Sequence, residues 1–453
     1  MKICIIDPSS TEMNRGSFCY SPYLLYNGLA SRHVHAQIEL FEAFKPEDID
    51  KLPLDADYYV VTLWSYPQIE TSLLLAQMLP YSTGKDNVYF SGYTPFAKEL
   101  GVKTLENLFS YDPLQDQDFL RIAMSEYPNN YHKFTRLLLS DCDMHLKSKE
   151  QGKLVHPLFT SFGCQVGCSF CPSTVNCGKQ RVALTEDCVL SMIHQCLKQD
   201  IRYIHFTDED FFFNTVRAYN ILHWMRDKAL HTIALGSAHA VTRFLDKYGM
   251  QPIVDAGLEI IEIGFETADA TVCADMGGAK DVSVCCDLGK LAKKERGLNI
   301  FWLVQSLFPG ETIHSLNLTG TFMQEFGFEM DEVVGRLRTN GTKGGLGQFF
   351  QPYVGLPIYK DLQANGMFLT ERPIRLIPSY LPNSFLDSEI KKVDRTKVEA
   401  AKPWLALYNV PHYNCGSVYE GQKLRAHIES TKVYNKIQNA IALAIFARFG
   451  VIE

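Results

Sequence analysis

The stretch "KLVHPLFTSFGCQVGCSFCPS", residues 153–173, runs from an apolar strand pattern directly into a glycine-containing loop that carries Cys164, Cys168 and Cys171. Apolar runs bounded by Gly and Pro read as buried strands, and 154–162 is the first of six. It is followed by a helical pattern at 186–199, a strand "YIHFTD", a helix at 214–229, a strand "HTIALGSA" and a helix at 241–255. The alternation continues through "IIEIGFET", a helix at 281–296, "NIFWLVQSLF", a helix at 313–327 and a last strand near "GQFFQPYV". Six β/α units with chemistry on the loops after the strands predict a partial (β/α)6 barrel.

Outward from the barrel, the first hundred residues show a second α/β alternation. "KICIID", "AQIELFEAF", "DYYVVTLWS" and "NVYFSGYTP" read as four strands, with "YLLYNGLASRH" as a helix between the first two. The predicted class is therefore α/β: a Rossmann-like domain over 1–105, a linker with some helix over 106–152, a barrel over 153–366, and a mostly helical carboxyl-terminal region over 367–453. The stretch "TKVYNKIQNAIALAIFARFG" in the last region has apolar spacing for one helix face. Residues 370–430 are rich in aromatics and prolines, and substrate choice is expected there.

The composition narrows the class further. Apolar residues make up 46% and charged residues 21%, with a net charge of −7; this balance gives no basic surface for nucleic acid and no membrane segment. The chain begins on a strand pattern, which predicts a cytoplasmic protein. Its 13 cysteines, an odd number spread over 453 residues, fit reduced thiols plus a metal site better than a disulfide framework.

Three cysteines on one loop admit zinc, an iron–sulfur cluster, or packing alone. A structural zinc closes with four ligands, usually as two pairs, and Cys177 breaks that symmetry. A 4Fe-4S cluster held by three thiolates leaves one iron open to a small chelating molecule. The basic, glycine-rich "GRLRTNGTKGGLGQ" at 335–348 lacks the ending of a phosphate-binding loop and precedes a strand, so it reads as a loop only.

The residues then match a known family. Cys164, Cys168 and Cys171, with Phe170 before the last of them, resemble the CxxxCxxC signature of radical S-adenosylmethionine enzymes. Further along, "HFTDEDFF", "GFETAD", "VCADMGGA", "LFPGET" and "PYVGLPIYKDLQANG" resemble that family's later segments in order, over residues 155–366. The resemblance implies a 4Fe-4S cluster whose open iron binds S-adenosylmethionine. An external electron donor then drives cleavage to a 5′-deoxyadenosyl radical, which takes hydrogen from the substrate. By resemblance Glu266 and Gln305 contact the bound S-adenosylmethionine. Asp208 and Asp210 follow the second barrel strand, where a carboxylate holds the methionyl amino group or the substrate, or caps a helix.

The Rossmann-like domain ahead of the barrel is similar to that of the cobalamin-binding branch, which places cobalamin against "DPSS", "TLWSYPQ" and "SGYTP". The sequence departs from that pattern: Ser91 and Gly92 stand in place of paired glycines, and no DxHxxG segment supplies a cobalt ligand. With cobalamin, the implied reaction is methylation of an unactivated carbon in a peptide or small natural product, as in class B methyltransferases. Without it, the alternative is a radical peptide epimerase, with Cys415 in "PHYNCGSVYEG" as hydrogen donor; Cys177, Cys273 and the Cys285–Cys286 pair are weaker donor candidates.

Overall fold

A computed structural model of the chain describes residues 1–8, 21–44, 46–63, 72, 74–76, 78–80, 86–92, 94–99, 101–130, 156–176, 178–278, 280–295, 298–306, 308–311, 313–327, 348–350 and 353–364. The glycine-rich stretch apart from its final Gln348, the carboxyl-terminal region from 367, Cys177 and Cys415 lie outside these residues.

The amino-terminal sheet has four parallel strands, β1 (Lys2–Pro8), β2 (Gln37–Phe44), β3 (Tyr58–Leu63) and β4 (Val88–Gly92), in the order β2-β1-β3-β4. Alternate side chains of β1 enter two different cores, because a parallel sheet is covered on both faces. Cys4 and Ile6 pack with Leu75, Leu79, Val354 and Tyr359. Ile3 and Ile5 pack on the other side with Tyr23, Leu25, Leu29 and Phe119.

Six further strands make the barrel sheet: β5 (His156–Leu158), β8 (Tyr203–Phe206), β9 (His231–Gly236), β10 (Leu258–Glu266), β11 (Asn299–Ser306) and β12 (Gln348–Phe349). They pair in parallel in sequence order, β5-β8-β9-β10-β11-β12, as the partial barrel requires. The expected single strand at 154–162 is instead β5 followed by β6 (Ser161–Phe162), which turns away to pair antiparallel with β7 (Val182–Ala183). That turn takes the chain out of the barrel sheet just before the cysteine loop. The helix expected over 241–255 is two, Ala238–Tyr248 and Gln251–Asp255, divided at Gly249.

Strand parity divides the barrel into a helix-facing and an inward side. Ile204, Phe206, Ala234, Ile261, Ile263, Phe265, Ile300, Trp302 and Val304 join the outer core, while Tyr203, Ile233 and Ile260 with Phe301 form a small inward cluster. N-caps reinforce the strand-to-helix turns: Ser237 accepts from Ala240 N, and Asp269 accepts from Thr271 N and Val272 N.

The segment expected as a linker holds two helices, Leu105–Phe109 and Gln117–Asn130. Phe119, Leu120, Ala123, Met124 and Tyr127 bury one face of the second helix, and Tyr127 lies 4.6 Å ring to ring from Phe159, just after β5. Phe119 packs against Gly28 so closely that a Cβ there would sit 2.3 Å from its ring. This helix therefore joins the amino-terminal core to the barrel core as one continuous apolar body. Among the described residues no helix is long and apolar enough to cross a membrane.

Truncation of the fully buried Phe119 to Ala is expected to cost about 3–5 kcal/mol. Chemical denaturation of the apoprotein measures this, and a loss below about 1 kcal/mol would show that the helix Gln117–Asn130 does not carry the shared core.

Candidate active site

The cysteine loop is anchored at its root by buried charge. The Asp208 side chain, just past β8 and fully withdrawn from solvent, accepts from Thr160 N at 2.9 Å, from Thr160 Oγ1 at 2.7 Å and from the Ser161 hydroxyl. Arg181 donates from Nε to Ser161 Oγ at 3.0 Å and lies 3.7 Å from Asp208. Arg217 donates to Thr160 Oγ1 at 2.8 Å and to Thr160 O at 2.9 Å. A buried carboxylate persists only when paired and hydrogen-bonded, and here both oxygens are engaged.

Asp210 is buried as well. It accepts from Ser237 Oγ at 2.6 Å and from Phe212 N at 3.1 Å, and burial pushes its carboxyl pKa up despite these bonds. Both aspartates thus hold protein groups at the strand ends, Asp208 at the root of the cysteine loop and Asp210 at Phe212 and Ser237.

From this root the loop carries the three thiols into a partly enclosed site. Cys164 N donates to Gly178 O at 3.2 Å; Cys171 Sγ lies 3.3 Å from Ser173 Oγ. Phe170, Val272, Met276, Phe308 and Phe350 form an apolar cluster against which Cys168 and Cys171 pack. Phe170 meets Phe308 edge-on at 6.4 Å, and Phe308 meets Phe350 at 5.1 Å. Burial raises the pKa of all three thiols, that of Cys168 to about 12 even with Lys280 pulling it down.

A second loop closes over the first. Ser169 donates through N and Oγ to Met276 O, both at 2.9 Å. The following Gly278 has φ +78°, and a Cβ on it would lie 2.6 Å from Cys168 Sγ. Only glycine satisfies both conditions.

Lys280 then reaches back. Its Nζ is 3.0 Å from Glu266 Oε1 and 3.2 Å from Gly264 O, and lies 5.3 Å from the Phe170 ring centre.

Glu266 sits at φ +69°, with a register shift against β11 between Gly264 and Glu266. Such bulges re-aim a strand's side chain, and the left-handed backbone of a non-glycine residue costs about 1–3 kcal/mol. Gln305, at the end of β11, has its buried Oε1 without a hydrogen-bond partner among the described residues. Phe170, Glu266 and the three cysteines are thus brought together. The sequence did not single out Lys280, Arg181 or Tyr353, whose hydroxyl is pushed to a pKa of about 12 by burial and by Cys171 nearby.

The strand ends of the amino-terminal sheet face this site. Gln115 donates to Val175 O at 2.9 Å and to Asn176 O at 3.2 Å in the turn after the cysteine loop. A Cβ on Gly355 would meet Pro95 at 2.7 Å and Val175 at 3.6 Å. At the end of β4, Ser91 is buried with its hydroxyl unpartnered among the described residues, beside Gly92, where a Cβ would strike Leu63 O at 2.2 Å. Cys273 and Cys285 are buried in helices after β10, and burial raises both thiol pKa values, Cys285 to about 12.

No protein-family model matches the chain. An uncharacterized methyltransferase of Pyrococcus horikoshii is 24% identical over 280 residues, covering 60% of this chain and 56% of the relative. The chain thus spans little more than half the length of that curated relative. Among solved structures, the radical S-adenosylmethionine methyltransferase TsrM of Kitasatospora setae, with cobalamin and a 4Fe-4S cluster bound, aligns over 99% of both chains at 12% identity with a TM-score of 0.57. The cobalamin-dependent S-adenosylmethionine radical enzyme OxsB, with aqua-cobalamin bound, aligns over 98% of this chain and 72% of its own at 13% identity with a TM-score of 0.59. The chain has the fold of cobalamin-dependent radical S-adenosylmethionine enzymes.

Substitution of Asp208 by Ala removes the acceptor for Thr160 and Ser161 and the counter-charge of Arg181. A loss of about 3–5 kcal/mol of apoprotein stability is expected, read by denaturant titration. A loss below about 1 kcal/mol would show that the carboxylate is not the anchor of the loop.

Proposed function

We propose that this chain is a radical S-adenosylmethionine enzyme that uses a 4Fe-4S cluster and cobalamin to methylate an unactivated carbon. The observation that carries this reading is the placement of Cys164, Cys168 and Cys171 on one loop at the strand ends of a partial barrel, facing the strand ends of a Rossmann-like sheet.

The donor set fits a cluster. Among the described residues no three His, Cys, Asp or Glu side chains converge on a point suited to one metal ion, whereas each thiolate of an iron–sulfur cube binds a different iron and need not converge. The apolar wall of Phe170, Phe308 and Phe350 covers Cys168 and Cys171 on one side. At the end of β4, the Ser91 hydroxyl, unpartnered among the described residues, offers a hydrogen bond to a group lying on the sheet edge, which fits cobalamin at the carboxyl ends of the parallel strands. When bound, the cluster with S-adenosylmethionine supplies a radical able to take hydrogen from carbon, and cobalamin supplies the methyl group.

The chain's own residues bind and orient. Cys164, Cys168 and Cys171 hold the cluster, Glu266 presents a carboxylate to the amino or ribose groups of S-adenosylmethionine, and Gln305 offers its free Oε1 as an acceptor. Lys280 keeps Glu266 in its bulged position. A low-potential donor supplies the electron from outside the chain. The substrate is a peptide or small natural product entering between the two sets of strand ends. The thiol-quenched epimerisation rests on Cys415, and no described residue favours it.

Anaerobically reconstituted protein is expected to show iron–sulfur absorbance and to form 5′-deoxyadenosine; Cys164→Ala should abolish both, and undiminished 5′-deoxyadenosine in that variant would overturn the cluster assignment. The protein should also retain about one equivalent of hydroxocobalamin through gel filtration. Failure to retain it, with deuterium entering the product from heavy water, would replace methylation by epimerisation.

A further inference from the structure

The ion pair between Lys280 and Glu266 is the least expected feature of the site. The two side chains are only 11% and 12% exposed, with Nζ 3.0 Å from Oε1. A buried pair of this kind contributes little to stability compared with apolar side chains of the same size, so packing alone does not account for it. The local chain is shaped around it. At Gly264, the inward position below Glu266 on β10, a Cβ would lie 3.0 Å from Glu266 Oε1 and 3.4 Å from Lys280 Nζ, so any side chain there would press on the pair.

The loop that delivers Lys280 is tied to the cysteine loop at three points. Met276 O accepts from Ser169 N and Oγ, Gly278 lies against Cys168 Sγ, and the ammonium lies 5.3 Å from the ring centre of Phe170, whose apolar cluster packs against Cys168 and Cys171. A fixed positive charge is thereby held beside the thiols in a water-poor site, where charges act far more strongly than in water. The Glu266 carboxylate is hydrogen-bonded to this ammonium and acts on Cys168 and Cys171 with the opposite sign.

We propose that Lys280 is a positioning residue that sets the reduction potential of the cluster held by Cys164, Cys168 and Cys171, with Glu266 as its attenuating partner. This rests on the functional reading above. One electron from a low-potential donor makes the cluster more negative by one charge; no bond forms or breaks in that step, and the donor is oxidised by the same electron. The ammonium favours the more negative state, so it raises the potential and eases reduction. The Glu266 carboxylate opposes this.

The test is the cluster's midpoint potential in the reconstituted full chain, followed by electron paramagnetic resonance during titration with titanium(III) citrate. Lys280→Met should shift the potential downward, Lys280→Arg should restore most of the shift, and Glu266→Gln should shift it upward. Opposite signs for the two neutralising changes would not arise from mere loosening of the site.

An unchanged potential in Lys280→Met at wild-type iron content overturns the proposal. If Lys280→Met fails to hold a cluster, Glu266→Gln decides alone: a rise supports the proposal, and an unchanged or lower potential overturns it. Failure of the unaltered chain to hold any cluster is seen before a variant is made; it rejects the functional reading, and this inference with it.

Discussion

The interaction on which the site depends is the buried carboxylate of Asp208. It gathers the backbone and hydroxyl of Thr160 and the hydroxyl of Ser161 at the point where the chain leaves the barrel sheet. Arg181 and Arg217 complete the set from two other elements. Without it, Thr160 N and the hydroxyls of Thr160 and Ser161 would lose their acceptor and Arg181 its nearby counter-charge, at a cost of about 1–3 kcal/mol for each buried group left unsatisfied. Because every partner is satisfied, the network leaves the loop one conformation, and the three thiols inherit their placement from it.

Around that anchor two loops interlock. The cysteine loop and the segment 275–280 exchange backbone and side-chain contacts, and the close approach at Gly278 makes the second loop a mould for the first. The apolar cluster of Phe170, Phe308 and Phe350 comes from three different β/α connections. The site is therefore assembled from distant parts of the chain, as expected where function sits on loops of a rigid parallel scaffold.

The strands of both sheets were legible in the sequence because buried parallel strands leave continuous apolar runs such as "KICIID" and "IIEIGFET". The bridging helix was not, although Phe119, Leu120, Ala123, Met124 and Tyr127 follow a helical period. Its polar remainder and Pro128 masked the pattern, and its apolar face acquires meaning only when two cores are present to receive it. The thiols, Phe170 and Glu266 were marked by motif. Asp208 and Asp210 were marked by position after a strand, but burial and partners at sequence separations of 27 and 48 residues decide what they do. Lys280 had no local signal: its pairing with Glu266 follows from the bulge in β10 and from the Gly277–Gly278 turn, neither of which a pattern of residue types reveals.

The helix Gln117–Asn130 has an architectural consequence. Tyr127 and Phe119 place the amino-terminal sheet and the barrel in a single apolar body, and bodies of that kind do not hinge, since parting them exposes a core to water. The two units are therefore not exchangeable modules. A chimera that swaps the amino-terminal sheet for that of another protein has to carry residues 105–130 with it, because Phe119 and Tyr127 belong to both cores at once.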